Sequence, residues 1–540
     1  MILRILLPIL GTFACYALFH AAQFLYRELT SPLRFIVGPP SPSLLLGNFK
    51  KVSDDFDLMS RWRKQFGRTF RFRGLFSISE LHTSDLKALN HVVGDNTIYR
   101  RAPAQRDQQK RMLGTGILYM ETDQHKRQRR IMNQAFGVPQ VKLLTEVFLE
   151  KAVQLRDIWA ARVEGDGSMV DVFDGLRRVT LDVIGQAGFD YNFNALDDKP
   201  NELNNVFTEL MHSPHAQSYA AVRLAQSIVP ILKLFPLPGS RIVARARVVM
   251  DAIGGHIVSG SKAALEEERA STGKGVSLTG RRDLLSVLLK SNLSKDLPDN
   301  QRMSDEEVVA QIPTFFLAGH ETTSASVAWA LYALSLHPKV QSKLRDELFT
   351  LPTDSPSMDE LNSLPYFEAF VRETMRLHAP AVFTTRMAMQ DDVLPLAKPY
   401  VDQQGNEHHS LPIRKGQIIH IPIWAVNTDK EIWGEDALEF KPERWNNLPE
   451  GVKGIPGVWA NLLSFYGGPH NCIGYRFSLA EMKALLFTFL RAFEFAPALP
   501  EGDIVPKIAG LIQRPNVLVG TKHFKRGSGL PLVVKAYKRD

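Results

Sequence analysis

Apolar and polar residues repeat along most of this chain with a helical period. Apolar positions three and four apart predict amphipathic helices, and the clearest such segments are 140–163, 171–189, 241–268 and 365–377. Period-two alternation is rarer: Phe70 to Arg73 alternates as a strand does, and 383–389 and 411–421 are rich in β-forming residues. The pattern predicts a mainly α-helical fold with small β regions.

The longest predicted helix begins at Ser304 and ends at Leu336. Ser304 and Glu307 have the spacing of a capping box, and a His-Pro dipeptide after Leu336 marks the stop. The segment is apolar on all sides, as is typical of a buried helix, but residues 319–323 interrupt it with polar groups. Because buried polar groups cost stability unless they are paired, the interruption indicates a functional role.

The N-terminal run from Ile5 to Leu25 contains no charged residue. As a helix it would span about 31 Å, roughly the thickness of a bilayer core. A cleaved secretory signal is the alternative, but the run is longer than the apolar part of a typical signal, and two cysteines in 540 residues indicate a reducing compartment. Arg27 and Arg34 after the run favour a cytosolic position for the rest of the chain. Residues 1–26 are therefore predicted to be a single-pass membrane anchor.

The segment from Gly38 to Ser43 contains three prolines in six residues. Proline cannot continue a helix, so this segment predicts a stiff spacer. The rest of the chain has no internal repeat and no long linker. We predict an anchor at 1–26, a Pro-rich hinge at 27–50 and one large folded unit at 51–540.

Composition and charge narrow the class of partner. The chain is 44% apolar and 23% charged, which excludes a disordered protein. Its net charge of +8 is not concentrated in an arginine-rich tract with interleaved aromatic residues, so nucleic acid is not an expected partner. A basic face that meets an anionic membrane or an acidic redox partner fits this excess better.

Of the two cysteines, Cys15 lies in the first apolar run, whereas Cys472 ends a Gly-rich loop and precedes an amphipathic helix. Loop N–H groups and the positive end of a helix favour a thiolate, although an isolated cysteine is more often a small buried hydrophobe. The fixed positions of the pattern Phe-x-x-Gly-x-(Arg/His)-x-Cys-x-Gly are matched by Phe465, Gly468, His470, Cys472 and Gly474. The loop resembles the haem-binding loop of the cytochrome P450 family, in which the cysteine thiolate is the axial ligand of the haem iron.

Residues Ala318 to Thr323 resemble the oxygen-activation motif of the same family, (Ala/Gly)-Gly-x-(Glu/Asp)-Thr-(Thr/Ser). Cleavage of O₂ needs two protons, and a hydroxyl can both donate and accept while a carboxylate can supply protons. The resemblance implies that Thr322 takes the hydroxyl part and Glu321 the acid part. It also implies that Gly319 leaves space for a ligand.

Two further motifs resemble the family in the same order. Glu373 and Arg376 form Glu-x-x-Arg, one turn apart on one helix face, and residues 442–445 resemble its Pro-x-Arg-Phe segment, with Trp445 in the aromatic position. The resemblance implies a buried network of Glu373, Arg376 and Arg444 that holds the cysteine loop.

The resemblance also implies how a haem b cofactor is held and where substrate lies. Each implied contact to the haem propionates would by itself be an ordinary surface group; these residues are His125, Arg129, Arg386 and His470. The implied lipophilic pocket is lined by apolar residues that could equally be core: Ile117, Leu118, Phe315, Phe316, Ala318, Ala381, Val382, Phe383, Leu511 and Ile512.

The resemblance covers roughly residues 38–530 and points to membrane-anchored fungal microsomal members. It implies a monooxygenase of the endoplasmic reticulum membrane whose catalytic domain faces the cytosol. O₂ would be the oxidant, and electrons from NADPH would arrive through an NADPH-cytochrome P450 reductase. The implied docking face for that acidic reductase is basic, comprises Lys126, Arg127 and Arg130, and lies near Arg476; the alternative is that these residues form an ordinary charged solvent face. In the family the segment 225–239 lies near the membrane, although a buried connector explains it equally well.

The substrate expected from the sequence is a terpenoid or another secondary metabolite, and fatty acids and aromatic compounds remain open. Two other functions compete with the monooxygenase. Some family members rearrange or dehydrate substrates without a reductase, which the intact Glu321-Thr322 pair argues against. A non-catalytic haem sensor or carrier would need neither this pair nor a basic docking face.

Overall fold

The structure is a computed structural model that describes residues 2–197, 240–272, 283–293, 302–509, 512–520 and 527–539, and six isolated residues between these ranges. Two sequence predictions fall outside the described residues. One is the segment 225–239, of which only Gln226 is described, and the other is Leu511 of the predicted pocket.

Helices dominate the described residues, as the hydrophobic pattern predicts. In chain order α1 to α18 are Ile2–Leu29, Phe49–Asp54, Leu58–Phe66, Leu86–Gly94, Pro103–Leu113, Thr122–Met132, Val138–Ala160, Val172–Phe189, Ser240–Thr272, Leu284–Leu293, Asp305–Val309, Gln311–Leu336, Pro338–Leu348, Met358–Asn362, Pro365–Leu377, Ile423–Asn427, Lys430–Trp433 and Tyr475–Ala492.

Within the part of the chain that the structure describes, short strands form four small sheets. In chain order β1 to β13 are Thr69–Arg73, Ser79–Thr83, Tyr99–Arg100, Ser168–Asp171, Thr384–Ala388, Asp392–Val401, Glu407–Ile413, Ile418–Ile421, Phe493–Pro497, Ile504–Ala509, Ile512–Val517, Gly527–Ser528 and Pro531–Ala536. The sheets have the orders β1-β2-β8-β5-β3, β10-β11-β12, β4-β13-β9 and β6-β7.

One compact unit comprises residues 1–102 and 385–422. Within its largest sheet β2 pairs with β8 in parallel and places His82 beside His420. The end of α1 is tied to this unit, because the Glu28 carboxylate lies 2.6 Å from Arg73 and accepts a hydrogen bond of 2.7 Å from the Ser79 hydroxyl.

The second compact unit comprises residues 103–384 and 423–540. Aromatic side chains join its long helices. The Phe148 ring on α7 lies 4.8 Å from the Phe477 ring on α18, and the Phe189 ring on α8 lies 4.7 Å from the Phe316 ring on α12. Of these helices, α12 carries the predicted oxygen-activation motif, and α18 follows the cysteine loop. The predicted division into 1–26, 27–50 and 51–540 stays a prediction.

The longest predicted helix is divided into two. The capping box of Ser304 and Glu307 is confirmed, but α11 ends at Val309 and α12 begins at Gln311. Pro313 explains the break, because it has no N–H to donate to the carbonyl of Val309 and its ring clashes with that carbonyl.

The N-terminal run forms the long helix α1, from Ile2 to Leu29. Among the described residues, no helix combines the length and the apolar character needed to cross a bilayer. The predicted transmembrane anchor at residues 1–26 is thus not confirmed.

Candidate active site

The cysteine loop reverses direction tightly before α18. The Cys472 N–H donates to the Phe465 carbonyl at 2.9 Å, and two residues between them have left-handed backbone conformations, Tyr466 with φ of 59° and Gly468 with φ of 60°. A left-handed conformation is unstrained for glycine and costly for tyrosine. The loop thus stores strain at one residue while it closes the turn that presents Cys472.

The Cys472 side chain is exposed, yet protein surrounds the thiol closely enough that burial raises its pKa above the usual value. The N–H of Gly474 and the Arg129 guanidinium lower this pKa in part. The loop favours the thiolate less than its sequence predicts, and binding of a metal ion is what deprotonates a thiol in such a place.

One face of α12 is open although the rest of this helix is buried. Ala318 is its most exposed residue, and Thr322, one turn later on the same face, is half-buried. The Thr322 hydroxyl donates to the Ala318 carbonyl at 2.6 Å. The next residue, Thr323, is buried, and its hydroxyl lies 3.0 Å from that of Ser478 on the first turn of α18. The predicted oxygen-activation motif therefore packs beside the helix that Cys472 precedes.

The role of Gly319 toward a ligand stays a prediction, but the position that its side chain would take is filled by α8. A Cβ atom on Gly319 would lie 2.9 Å from Cγ1 of Ile184 on α8, which is closer than real Cβ contacts. The absence of a side chain thus allows α8 and α12 to approach one another.

The Glu321 carboxylate is buried, at 1% exposure, and it faces charged partners. Its Oε2 lies 2.8 Å from Nη2 of Arg514 on β11, and its Oε1 lies 3.8 Å from Nε of Arg177 on α8. The neighbouring His320 imidazole lies 3.5 Å from Oε1, and burial lowers its pKa below the usual value. The predicted acid is therefore held in an ion-pair cluster, and Thr322 is on the open face of the same helix.

Three of the four predicted propionate contacts lie near the loop. The rings of His125 and His470 lie 4.0 Å apart, and Arg129 donates to the Asn471 carbonyl at 2.5 Å and to its side-chain oxygen. Sequence reasoning missed Glu121, whose carboxylate lies 3.1 Å from Nε2 of His470. These imidazole and guanidinium groups form a set of donors beside Cys472.

Arg386 belongs to the other compact unit, on β5, where its side chain is buried and Nη1 donates to the Thr385 carbonyl at 2.8 Å.

The structure brings Glu373, Arg376 and Arg444 together in a buried network. Arg376 donates to both carboxylate oxygens of Glu373, at 2.8 and 2.9 Å, and Arg444 Nε lies 3.4 Å from the same carboxylate. Trp445 adds more than the apolar ring expected from the sequence, because its indole N–H donates to Glu373 at 3.1 Å. Sequence reasoning also missed Asp436, whose pKa falls to about 2 because Arg444 donates to it.

A chain of hydrogen bonds joins this network to the segment before the cysteine loop. Arg376 donates to the Asn427 carbonyl at 3.1 Å. The Asn427 side chain in turn accepts from the Leu463 N–H at 3.1 Å and donates to the Ser464 hydroxyl at 2.8 Å. This path supplies a physical route by which the network orders the loop that begins at Phe465.

The predicted pocket residues are placed in different surroundings. Phe316 is fully buried among aromatic rings and is part of the core. Ile117 is buried, and its N–H donates to the Gln311 side chain at 2.8 Å, whereas Leu118 and Phe383 are half-buried. The Phe315 ring is buried and lies 5.4 Å from the Phe136 ring. Val382 is buried, and its carbonyl accepts a hydrogen bond from the backbone N–H of Trp424. Ala381 forms an isolated β-bridge with Ile512.

Four further residues that the sequence did not indicate lie far along the chain from their partners: Arg514, Arg177, Ser478 and Asn427. The only signal was the residue type, since a charged Arg514 interrupts a strand that is otherwise free of charge. No spacing rule connects a helix with a distant strand.

The residues beside Cys472 fit a haem group. An accessible sulfur can ligate iron, the open face of α12 carries the small Ala318 and a hydroxyl, and groups able to donate hydrogen bonds gather at His125, Arg129 and His470. Haem bound through a cysteine thiolate and two propionates requires these groups.

The comparisons with known proteins agree with this arrangement. The family model for cytochrome P450 matches residues 37–519. Cytochrome P450 monooxygenases 128 and 205 of Postia placenta are 47% and 46% identical, over 98% and 96% of this chain and 97% and 96% of their own lengths. A ganoderic acid synthetase of Ganoderma lucidum is 35% identical over 89% of this chain and 90% of its own. The chain belongs to the cytochrome P450 family and is a monooxygenase of that family.

Proposed function

We propose that this protein inserts one oxygen atom from O₂ into a lipophilic small molecule, with electrons from NADPH delivered by a cytochrome P450 reductase. The observation that carries the proposal is the pairing of an accessible Cys472 with the open Thr322 face of α12, two features joined through Thr323 and Ser478. Haem b, when bound, supplies the oxidising chemistry, and the protein supplies binding, orientation and proton handling.

In this proposal Cys472 is the iron ligand, and His125, Arg129 and His470 bind the propionates. The Thr322 hydroxyl donates to the Ala318 carbonyl, and its oxygen remains able to accept a hydrogen bond from water, so it can take part in a proton relay at the open face. Glu321 supplies protons to it.

The reductase docks on a smaller basic face than the sequence implies. Lys126, Arg130 and Arg476 are exposed and can meet an acidic partner. Arg127 differs from them, because it pairs with Glu307 and donates to the Arg302 carbonyl at 2.7 Å. The proposed docking residues are therefore Lys126, Arg130 and Arg476.

The proposed substrate class is a terpenoid or a related secondary metabolite. Two observations support this class. One relative, from Ganoderma lucidum, is named a ganoderic acid synthetase, and the predicted pocket residues are apolar. Differences of a methylene in an apolar pocket change binding by only about 1–3 kcal/mol, so a panel of substrates is needed to define the product.

We further propose that the N-terminal helix tethers the protein to the endoplasmic reticulum membrane as a single-pass segment, with the catalytic domain in the cytosol. Its support is the uncharged run from Ile5 to Leu25 and the exposure of large apolar side chains, such as Leu18 at 69% and Phe19 at 64%. Deletion of residues 1–26 should move much of the protein from the membrane fraction to the supernatant. Full retention of the truncated protein on membranes would contradict the tether.

The first test of the function is the carbon monoxide difference spectrum of the reduced membrane fraction. A red-shifted Soret band is expected from thiolate-ligated haem, and a band at the histidine-haem position from folded protein would contradict the proposal. NADPH consumption with added reductase and a lipophilic substrate separates the monooxygenase from a haem sensor, which consumes none, and from reductase-independent members, which turn over without NADPH.

A further inference from the structure

The carboxylate of Glu321 lies in a cluster formed by three elements of one compact unit. Arg514 comes from β11, Arg177 from α8, and His320 and Glu321 from α12. The Arg514 and Glu321 side chains are only 3% and 1% exposed, and their charged atoms are 2.8 Å apart. The pair is therefore shielded from both water and salt.

The Glu321 carboxylate has two guanidinium groups and one imidazole as neighbours. Two guanidinium groups face one carboxylate, and burial lowers the pKa of His320, so its imidazole is neutral near pH 7. Burial also lowers the pKa of Arg514, while Glu321 raises it. In this arrangement both oxygens of the Glu321 carboxylate lie against these neighbours, whereas the Thr322 hydroxyl donates to the Ala318 carbonyl and not to Glu321.

The strand that carries Arg514 is bonded to the segment predicted to line the pocket. Ile512 forms a bridge with Ala381. The Gln513 N–H donates to the Pro380 carbonyl at 2.8 Å, and its side chain donates to the Ala379 carbonyl at 2.8 Å. A ligand that displaces residues 379–383 therefore acts on a strand whose next residue is Arg514.

We propose that Arg514 is a positioning residue for Glu321: it clamps the carboxylate away from Thr322 and releases it when substrate moves β11 through the contacts of Gln513. This inference rests on the proposed monooxygenase function and adds a control of its proton supply. Proton transfer to Thr322 begins only after the Arg514–Glu321 pair opens, which ties oxygen chemistry to an occupied pocket.

The test uses the full-length protein with reductase, and farnesol, dodecanoic acid and naphthalene as the lipophilic probes. Arg514→Gln should lower the ratio of product formed to NADPH consumed several-fold, with the missing electrons recovered as peroxide, and should change the pH profile of this ratio. Arg514→Lys keeps the positive charge and should restore part of the wild-type ratio of product to NADPH. Lys507→Gln is the matched control, since Lys507 is the exposed cross-strand partner of Arg514, and it should behave as wild type.

A second measurement tests the clamp without turnover. Thermal unfolding of Arg514→Gln, Glu321→Gln and the double variant forms a double-mutant cycle. We expect the double variant to unfold at a higher temperature than Arg514→Gln alone, because it no longer buries an unpaired carboxylate. If Arg514→Gln fails to fold, the coupling ratio and the thermal unfolding are both measured on Arg514→Lys and on the double variant.

The outcomes separate this inference from the proposed function. A wild-type protein without the thiolate-haem band refutes the function. The inference alone is refuted if the wild-type protein shows that band and forms product, but Arg514→Gln has the same ratio of product to NADPH and the same pH profile as wild type. Additive effects in the cycle also refute it.

Discussion

The hydroxyl oxygens of Thr323 and Ser478 lie 3.0 Å apart and join the centre of α12 to the first turn of α18. This contact places Thr322, the preceding residue on α12, near the helix that follows Cys472. Two motifs that are distant in the sequence thereby become parts of one site, because the helices that carry them pack at this point.

Replacement of Cys472 with serine should remove the red-shifted carbon monoxide band, because an alcohol is a poor ligand in place of a thiolate. Cys15→Ala is the control, since Cys15 is the only other cysteine and should leave the band unchanged. A Cys472→Ser protein with the wild-type spectrum would mean that another residue ligates the iron.

Replacement of Thr322 with alanine should divert electrons from product to peroxide, because the open face of α12 would lose its hydroxyl. Positioned acid–base groups contribute about 10²–10⁴-fold, so a drop of about tenfold or more in product per NADPH is expected. Thr322→Ser keeps a hydroxyl and should retain most of the wild-type ratio. If the alanine variant couples as well as the serine variant, Thr322 does not handle protons.

Replacement of Glu373 with glutamine should destabilise the fold by about 3–5 kcal/mol, since it leaves the buried Arg376 without its counter-charge. Denaturant unfolding measures the effect. Glu443→Gln removes a carboxylate of a partly exposed pair with Lys343 and should cost less than about 1 kcal/mol. Equal losses in the two variants would show that the Glu373 network contributes no more than a surface pair.

Stability should fall in acid because of His82 and His420. Burial lowers the pKa of His420 to about 3 and that of His82 well below its usual value, so both are neutral in the folded protein. The unfolded chain binds more protons below pH of about 6.5, and the free energy of unfolding therefore decreases as the pH falls from about 6.5 towards 3.

His420→Phe should reduce this slope by up to about 1.4 kcal/mol per pH unit, measured by denaturant unfolding between pH 6.5 and 4. His409→Phe is the control, because the His409 side chain is 78% exposed and should leave the slope unchanged. An unaltered slope in His420→Phe would exclude this histidine as a source of acid sensitivity.

Glu481 should have the opposite effect on the pH dependence. Burial raises its pKa well above 4.5, and the Thr323 hydroxyl lowers it only in part, so the folded protein holds a proton that the unfolded chain releases. The stability contributed by this group is therefore present at low pH and lost as the pH rises above about 4.5. Glu481→Gln should gain stability relative to wild type between pH 5 and 8, and a constant difference across that range would contradict the assignment.

Much of the local structure follows from the sequence because capping and periodicity act over a few residues. The capping box at Ser304, the helix at 365–377 and the helix after Gly474 are all present. The break at Ala310 was missed, although Pro313 was visible, because the apolar pattern continues unchanged through it.

The features of the candidate site also divide into those that follow from short stretches of sequence and those that depend on tertiary packing. By itself the sequence determined the cysteine loop, the Glu-x-x-Arg pair and the hydroxyl and carboxylate of the α12 motif, since these depend on residue type and short spacing. Only the tertiary structure decided that Glu321 faces Arg514 while Thr322 faces the open side, and that Gly319 receives Ile184 of α8. The sequence of a helix shows which side chains share a face, but their partners are known only when a distant strand or helix packs against that face. Burial then requires the charged groups at the contact to pair.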